Sequence, residues 1–167
     1  MNTGGRDDLF VIVLRPLSVI SVSPMPMPKE KKTILVVEDD PIYAGFIKTS
    51  LLNAGMPLAL HHVTTVDQAL AYLRGEQLPF KDRSAYPMPA IVLLDLRIPE
   101  GGGFPVLKFL RDNGHLDNGK VRVVMLTASS RPQDLQEALQ LGAVSYLIKT
   151  PVASTIISLV SKFLEPN

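Results

Sequence analysis

Between residues 33 and 164 the chain alternates short apolar runs with segments whose apolar residues recur at helical spacing. Thr33 to Val37 is nearly continuous and β-branched, the composition of a strand buried on both faces. Pro41 then opens a stretch in which Ile42 and Phe46, and likewise Tyr43, Ile47 and Leu51, lie about one helical turn apart before Gly55 closes it. A second strand, Leu58 to Val63, leads to Val66, Ala69, Leu70 and Leu73 on one helical face, ended by Gly75. Glu76 to Pro89 has no periodicity and three prolines, which predicts a long surface loop. The pattern then resumes as Ala90 to Leu94 with a helix near Phe104 to Asp112, Val121 to Leu126 with Pro132 to Leu141, and Val144 to Ile148 with Val152 to Leu164.

Five strand–helix repeats with right-handed crossovers predict an α/β fold, a doubly wound five-stranded parallel sheet with helices on both faces. Leu135, Ala138 and Leu139, and separately Val152, Ile156, Leu159, Val160 and Phe163, form single apolar stripes expected to cover that sheet. Strand ends in such a sheet share one edge, so polar residues at several of them converge. Glu38 and Asp39 follow the first run, Asp95 the third, Thr127 the fourth and Lys149 the fifth. Each has an ordinary explanation by itself. Carboxylates favour helix N-termini, Asp40 above all, while Asp95 suits a strand end, Thr127 a turn and Lys149 a solvated surface. Their joint occurrence at four strand ends points instead to one shared pocket.

Composition narrows the chemistry. The 167 residues, 46% hydrophobic, suit one core, and a net charge of +1 with a single interrupted basic cluster at Lys29, Lys31 and Lys32 argues against nucleic acid as a partner. Cysteine is absent, so a metal here would be a hard ion held by oxygen, which suits Mg2+. His61 and His62 are adjacent on a strand and point to opposite faces, and His115 lies in a polar loop, so none is assigned a function. Residues 1–32 form a separate N-terminal extension. Its apolar stretches at Leu9 to Leu14 and Leu17 to Val22 are interrupted and fall short of the ~20 residues of a membrane helix, and its start lacks a signal peptide's positive region. Alternating Pro24, Pro26 and Pro28 predict disorder there, with a packing arm as the alternative for Leu9 to Val22.

Ile34-Leu35-Val36-Val37-Glu38-Asp39-Asp40, Leu94-Asp95-Leu96-Arg97-Ile98-Pro99, Leu126-Thr127-Ala128 and Tyr146-Leu147-Ile148-Lys149 together resemble the receiver domain of two-component response regulators. The resemblance spans residues 33–164, with the receiver placed at 33–165. The long loop before Ala90 is similar to that of stand-alone regulators partnering phytochrome-type histidine kinases. It implies a CheY-like, flavodoxin-like fold, a cytoplasmic location, and Mg2+-dependent transfer of a phosphoryl group from a kinase histidine to Asp95 rather than enzymatic turnover. Asp39, Asp95 and the Arg97 carbonyl would be the implied metal ligands, with Glu38 reaching the ion through water. Thr127 would bond a phosphate oxygen, Lys149 would stabilise it electrostatically, and Thr127 with Tyr146 would form the switch. Arg97 and Ser129 occupy positions that tune phosphate loss in the family.

Two departures stand out. Thr150 follows the lysine where the family usually has proline, and Pro151 is expected in the first turn of the last helix with Thr150 as its N-cap. Glu100 then precedes three glycines, Gly101 to Gly103, which predicts a flexible loop. An aspartate-nucleophile phosphohydrolase is the chief rival, but its general acid two positions after the nucleophile is replaced by Arg97. A dinucleotide-binding domain would need a glycine fingerprint after the first strand, and Gly101 to Gly103 follow the third. A third alternative is a receiver-like module that binds partners without phosphorylation. Because the chain ends at Asn167, output is expected through protein contacts, including a homodimer through the face of the Pro132 helix, the Val144 strand and the Val152 helix.

Overall fold

The computed structural model describes residues 31–128 and 131–164, so residues 1–30 and Ser129 lie outside the described residues. Strands β1 (Lys32–Val37), β2 (Leu58–Val63), β3 (Ile91–Asp95), β4 (Arg122–Thr127) and β5 (Ser145–Ile148) alternate with helices α1 (Pro41–Asn53), α2 (Val66–Arg74), α3 (Phe104–Asp112), α4 (Pro132–Gln140) and α5 (Ala153–Leu164). All pair in parallel in the order β2-β1-β3-β4-β5. The central strands are the apolar runs of the sequence because both of their faces are covered. Leu35, Val37, Val92, Leu94, Val123 and Met125 face α2, α3 and α4, while Ile34, Val36, Ile91, Leu93, Val124 and Leu126 face α1 and α5. Each such fully buried side chain contributes about 1.5–3 kcal/mol relative to exposure, so the two half-cores fix the strand register and hence every strand end.

Caps and turns follow local chemistry. Asp40 accepts from the amides of Ile42 and Tyr43 at 2.8 and 3.4 Å, and Pro41 supplies the first helical residue of α1. Gly75 ends α2 at φ 69°, a left-handed geometry open to glycine at little cost.

Three expectations need correction. Leu135 and Leu139 of α4 do not cover the sheet: they are exposed, and Ala138 and Asp134 are the buried residues. Ala138 packs into the core at 0% exposure, and the Asp134 carboxylate is held by the Arg131 guanidinium at 3.0 Å. Pro151 does not open α5, which starts at Ala153, so Thr150 is not its N-cap. The residue before a proline is driven from helical geometry, and Thr150 accepts from the Val152 amide at 3.3 Å to form a turn that precedes the helix. Finally, the loop after α2 is not merely superficial. Phe80 and Tyr86 pack on the buried Tyr72, with ring centroids 5.3 and 6.0 Å from it, and the Tyr72 hydroxyl donates to the Pro87 carbonyl at 2.9 Å. Arg83 adds a bond to the Tyr72 carbonyl at 2.7 Å. His61 joins this cluster, 5.4 Å from Tyr72, and its burial lowers its pKa, which keeps the ring neutral at physiological pH. Among the described residues no helix is long and apolar enough to cross a membrane.

Candidate functional site

Strand order reverses at β1, whose neighbours β2 and β3 are reached by connections running over opposite faces. At such a switch point the loops leaving adjacent strands diverge and open a crevice at the carboxyl edge. Glu38 is the residue after β1, Asp39 follows it, and Asp95 is the last residue of β3. One ligand oxygen from each of the three lies within 4.8 Å of the others. Lys149, the first residue after β5, reaches back across β4: its Nζ donates to Glu38 Oε1 at 2.7 Å and to Asp95 Oδ2 at 2.9 Å. The backbone of Lys149 is pinned where it leaves the sheet, its amide donating to the Thr127 carbonyl at 2.7 Å.

Electrostatics in this pocket are uneven. Glu38 is completely buried, and its pKa is raised, chiefly by loss of water and further by the Asp95 charge, against the opposing pull of Lys149. Burial works against the Lys149 ammonium too, but the hydrogen bonds to Glu38 and Asp95 outweigh it and raise its pKa, so it stays cationic. Asp95 is 3% exposed, and its Oδ1 accepts from the Arg97 amide at 3.0 Å. Asp39 is exposed, open to solvent and ligand. Glu38 Oε2 is buried without a hydrogen-bond partner, a costly state for a carboxylate oxygen. Three carboxylates face one ammonium, and a divalent cation with oxygen ligands fits that imbalance and the unpartnered oxygen.

Thr127 is buried at the end of β4, beside Asp95 in the sheet, since Leu126 is the register partner of Asp95. Tyr146 lies on β5 opposite Met125, half-buried against the core beneath α2, α3 and α4. The Arg97 side chain is exposed. Two neighbours of the site had not been singled out. His62 Nε2 lies 2.7 Å from the Glu38 carbonyl and so steadies the acidic loop. Tyr43 presents its ring to Lys149. Its position in the first turn of α1, the helix that leaves this edge of the sheet, is the signal that places it here.

Residues 34–161 match the family described as response regulator receiver domain. This chain belongs to that family. The probable methanogenesis regulatory protein FilR2 of Methanothrix harundinacea is 33% identical over 116 residues, 70% of this chain and 70% of its own length. A probable cyclic di-GMP phosphodiesterase of Vibrio cholerae is 29% identical over 70% of this chain, but this receiver spans just 23% of that protein. Solved structures with the same flavodoxin-like, CheY-like fold include the phosphorylated cyanobacterial phytochrome response regulator RcpA, 27% identical, with a TM-score of 0.67 over 79% of this chain and 90% of RcpA. Another is the bacteriophytochrome response regulator RtBRR, 30% identical, TM-score 0.69, covering 81% of this receiver and 79% of that chain.

Proposed function

We propose that this receiver is the phosphoacceptor of a two-component system, taking a phosphoryl group from a histidine kinase onto Asp95. The supporting observation is the Lys149 ammonium, held between the buried Glu38 and the Asp95 carboxylate at the mouth of the crevice. Phosphoryl transfer asks for positioning and charge stabilisation more than for covalent assistance. In the proposed step an Asp95 carboxylate oxygen bonds to phosphorus while the bond from phosphorus to the kinase imidazole nitrogen breaks, its electron pair staying on that nitrogen. Lys149 exchanges part of its contact with Asp95 for the incoming phosphoryl oxygens, and the Thr127 hydroxyl donates to one of them. Mg2+ is the proposed cofactor, held by Asp39, Asp95 and the Arg97 carbonyl with Glu38 behind them, and it would neutralise the anionic charge that otherwise repels the phosphoryl group.

Exposed apolar residues beside the pocket favour a protein donor over a small molecule. Ile42 is 83% exposed, and with Tyr43, Phe46 and Pro151 it lines an apolar shelf next to Lys149. RcpA and RtBRR are named for phytochromes, which supports a phytochrome-type kinase for this chain as part of the same proposal. Output would pass through Thr127 and Tyr146 to α4, β5 and α5, where phosphate biases two arrangements that differ little in free energy. Leu135, Leu139 and Ile148 are exposed on those elements, with Val144 and Val152 exposed just before β5 and α5, and together they offer a face for a homodimer or a downstream protein. Arg97 stands where a phosphohydrolase would carry its acid, and Arg97 and Ser129 are proposed to tune the loss of phosphate from Asp95. The proposal also places the receiver at 33–165 after an extension of 1–32, and the protein in the cytoplasm.

The test is incubation with acetyl phosphate and Mg2+, read by intact mass. One phosphoryl increment that requires Mg2+ and is absent from Asp95→Asn is expected. A mass unchanged in the unaltered chain, or an increment that survives in Asp95→Asn, would overturn the proposal.

A further inference from the structure

Resting on the phosphoacceptor reading, we propose that Tyr43 is the positioning residue that holds the Lys149 ammonium over the gap between Glu38 and Asp95. Lysine is a flexible four-carbon stem ending in a compact charge, and a single backbone bond, from its amide to the Thr127 carbonyl at 2.7 Å, fixes where that stem begins. The next residue is Thr150, whose amide is free to seek a partner, whereas a proline in its place would have none. That amide donates to the Tyr43 hydroxyl at 3.3 Å, and the hydroxyl donates weakly to the Thr150 carbonyl at 3.5 Å. Directly beneath, the Tyr43 ring lies 5.0 Å from the Lys149 Nζ. The aromatic face attracts the cation. One side chain therefore holds both the loop and the charge that the loop delivers.

Geometry makes the ring the larger contributor, because both hydroxyl contacts are long for an O–H or N–H bond. Tyr43 itself is well placed for this. It sits in the first turn of α1, its amide bonded to the Asp40 cap at 3.4 Å, on the helix that begins just after Glu38 and Asp39. Tyr43 touches neither Asp39 nor Asp95 through any hydrogen bond among the described contacts, so its influence on phosphoryl transfer runs through Lys149.

The experiment compares the full chain with Tyr43→Leu and Tyr43→Phe. Rates of phosphorylation by acetyl phosphate are read by intact mass, and Mg2+ affinity by calorimetry. Tyr43→Leu is expected to slow phosphorylation roughly three- to fivefold, the factor a partly exposed cation–π contact supplies, with Mg2+ affinity retained. Tyr43→Phe keeps the ring and is expected to recover most of the rate. An unaltered rate in Tyr43→Leu overturns the inference, as does a parallel fall in Mg2+ affinity, which would assign Tyr43 to packing alone. If the unaltered chain takes no phosphoryl group, the phosphoacceptor reading itself fails, a distinct result.

Discussion

Replacing Lys149 with methionine removes the charge from the pocket while keeping the length and most of the apolar volume of the stem. The consequence can be worked from the ion pairs. The ammonium bonds Glu38 at 2.7 Å and Asp95 at 2.9 Å, and the side chains of Glu38 and Asp95 are 0% and 5% exposed. Removing one member of a buried pair costs about 3–5 kcal/mol because the other charge is left uncompensated. The lower end applies, since the Lys149 side chain is itself 18% exposed and Glu38 can escape by binding a proton. A loss of about 3 kcal/mol corresponds to a fall of roughly 10 °C in Tm for a domain of this size. The pH dependence has a definite sign. The folded-state pKa of Glu38 lies above 4.5, so its contribution to stability is fully present below 4.5 and is lost as pH rises through the folded value. Without Lys149 the opposing pull is gone and that pKa rises further, so the deficit of Lys149→Met should narrow on acidification from neutrality towards pH 4.5. In the unaltered chain Lys149 has a raised pKa, so its contribution persists up to 10.5 and is lost above that as pH passes the folded value. Mg2+ should partly restore the variant: a ligand at a hundred times its Kd adds about 2.7 kcal/mol, and the variant should bind it more tightly because no ammonium competes for the carboxylates. Scanning calorimetry in chelator and in Mg2+, at neutral and acidic pH, measures all of this. Equal Tm values for both proteins in chelator at pH 7 would refute the reasoning, and so would identical stabilisation of the two by Mg2+.

Two glycines should respond in opposite ways. A Cβ on Gly103 would collide with the Asp95 carbonyl oxygen and crowd Leu94 and Met125 at 3.1 Å, so Gly103→Ala should cost about 1–3 kcal/mol in urea unfolding and slow phosphorylation by shifting Asp95. Gly45, inside α1 with nothing within 4 Å, should instead gain about 0.5–1 kcal/mol as alanine. Tyr72→Phe deletes the 2.9 Å bond to the Pro87 carbonyl and should cost about 1 kcal/mol, whereas Tyr72→Ala should cost about 3–5 kcal/mol and expose the loop of residues 76–89 to limited proteolysis. Uncut loop in Tyr72→Ala would show that the aromatic cluster does not anchor it.

Central strands were legible in the sequence because burial on both faces writes itself as an unbroken run, as at Ile34 to Val37 and Ile91 to Leu94. Once their ends are known, the crevice residues follow, since Glu38, Asp39, Asp95, Thr127 and Lys149 each stand at a strand end that topology places on one edge. A helix is read less completely. Periodicity says that Leu135 and Leu139 share a face with each other, and nothing in it says which way that face turns; the structure directs it outward and buries Ala138 with Asp134 instead. The aromatic cluster was illegible for a different reason. Tyr72, Phe80 and Tyr86 come from a helix and an aperiodic loop, and their meeting depends on the path between Gly75 and Pro89 rather than on any local pattern. Tyr43 combines both difficulties. Its helical spacing assigns it to a packing stripe, yet its ring lies at the end of that stripe, where the partner is a lysine 106 positions later. The ring meets the Lys149 ammonium there, and the Thr150 amide beyond the sheet adds a longer contact to the Tyr43 hydroxyl. Because the contact uses the backbone of residue 150, any residue but proline after the lysine preserves the amide that meets the tyrosine in the first turn of α1.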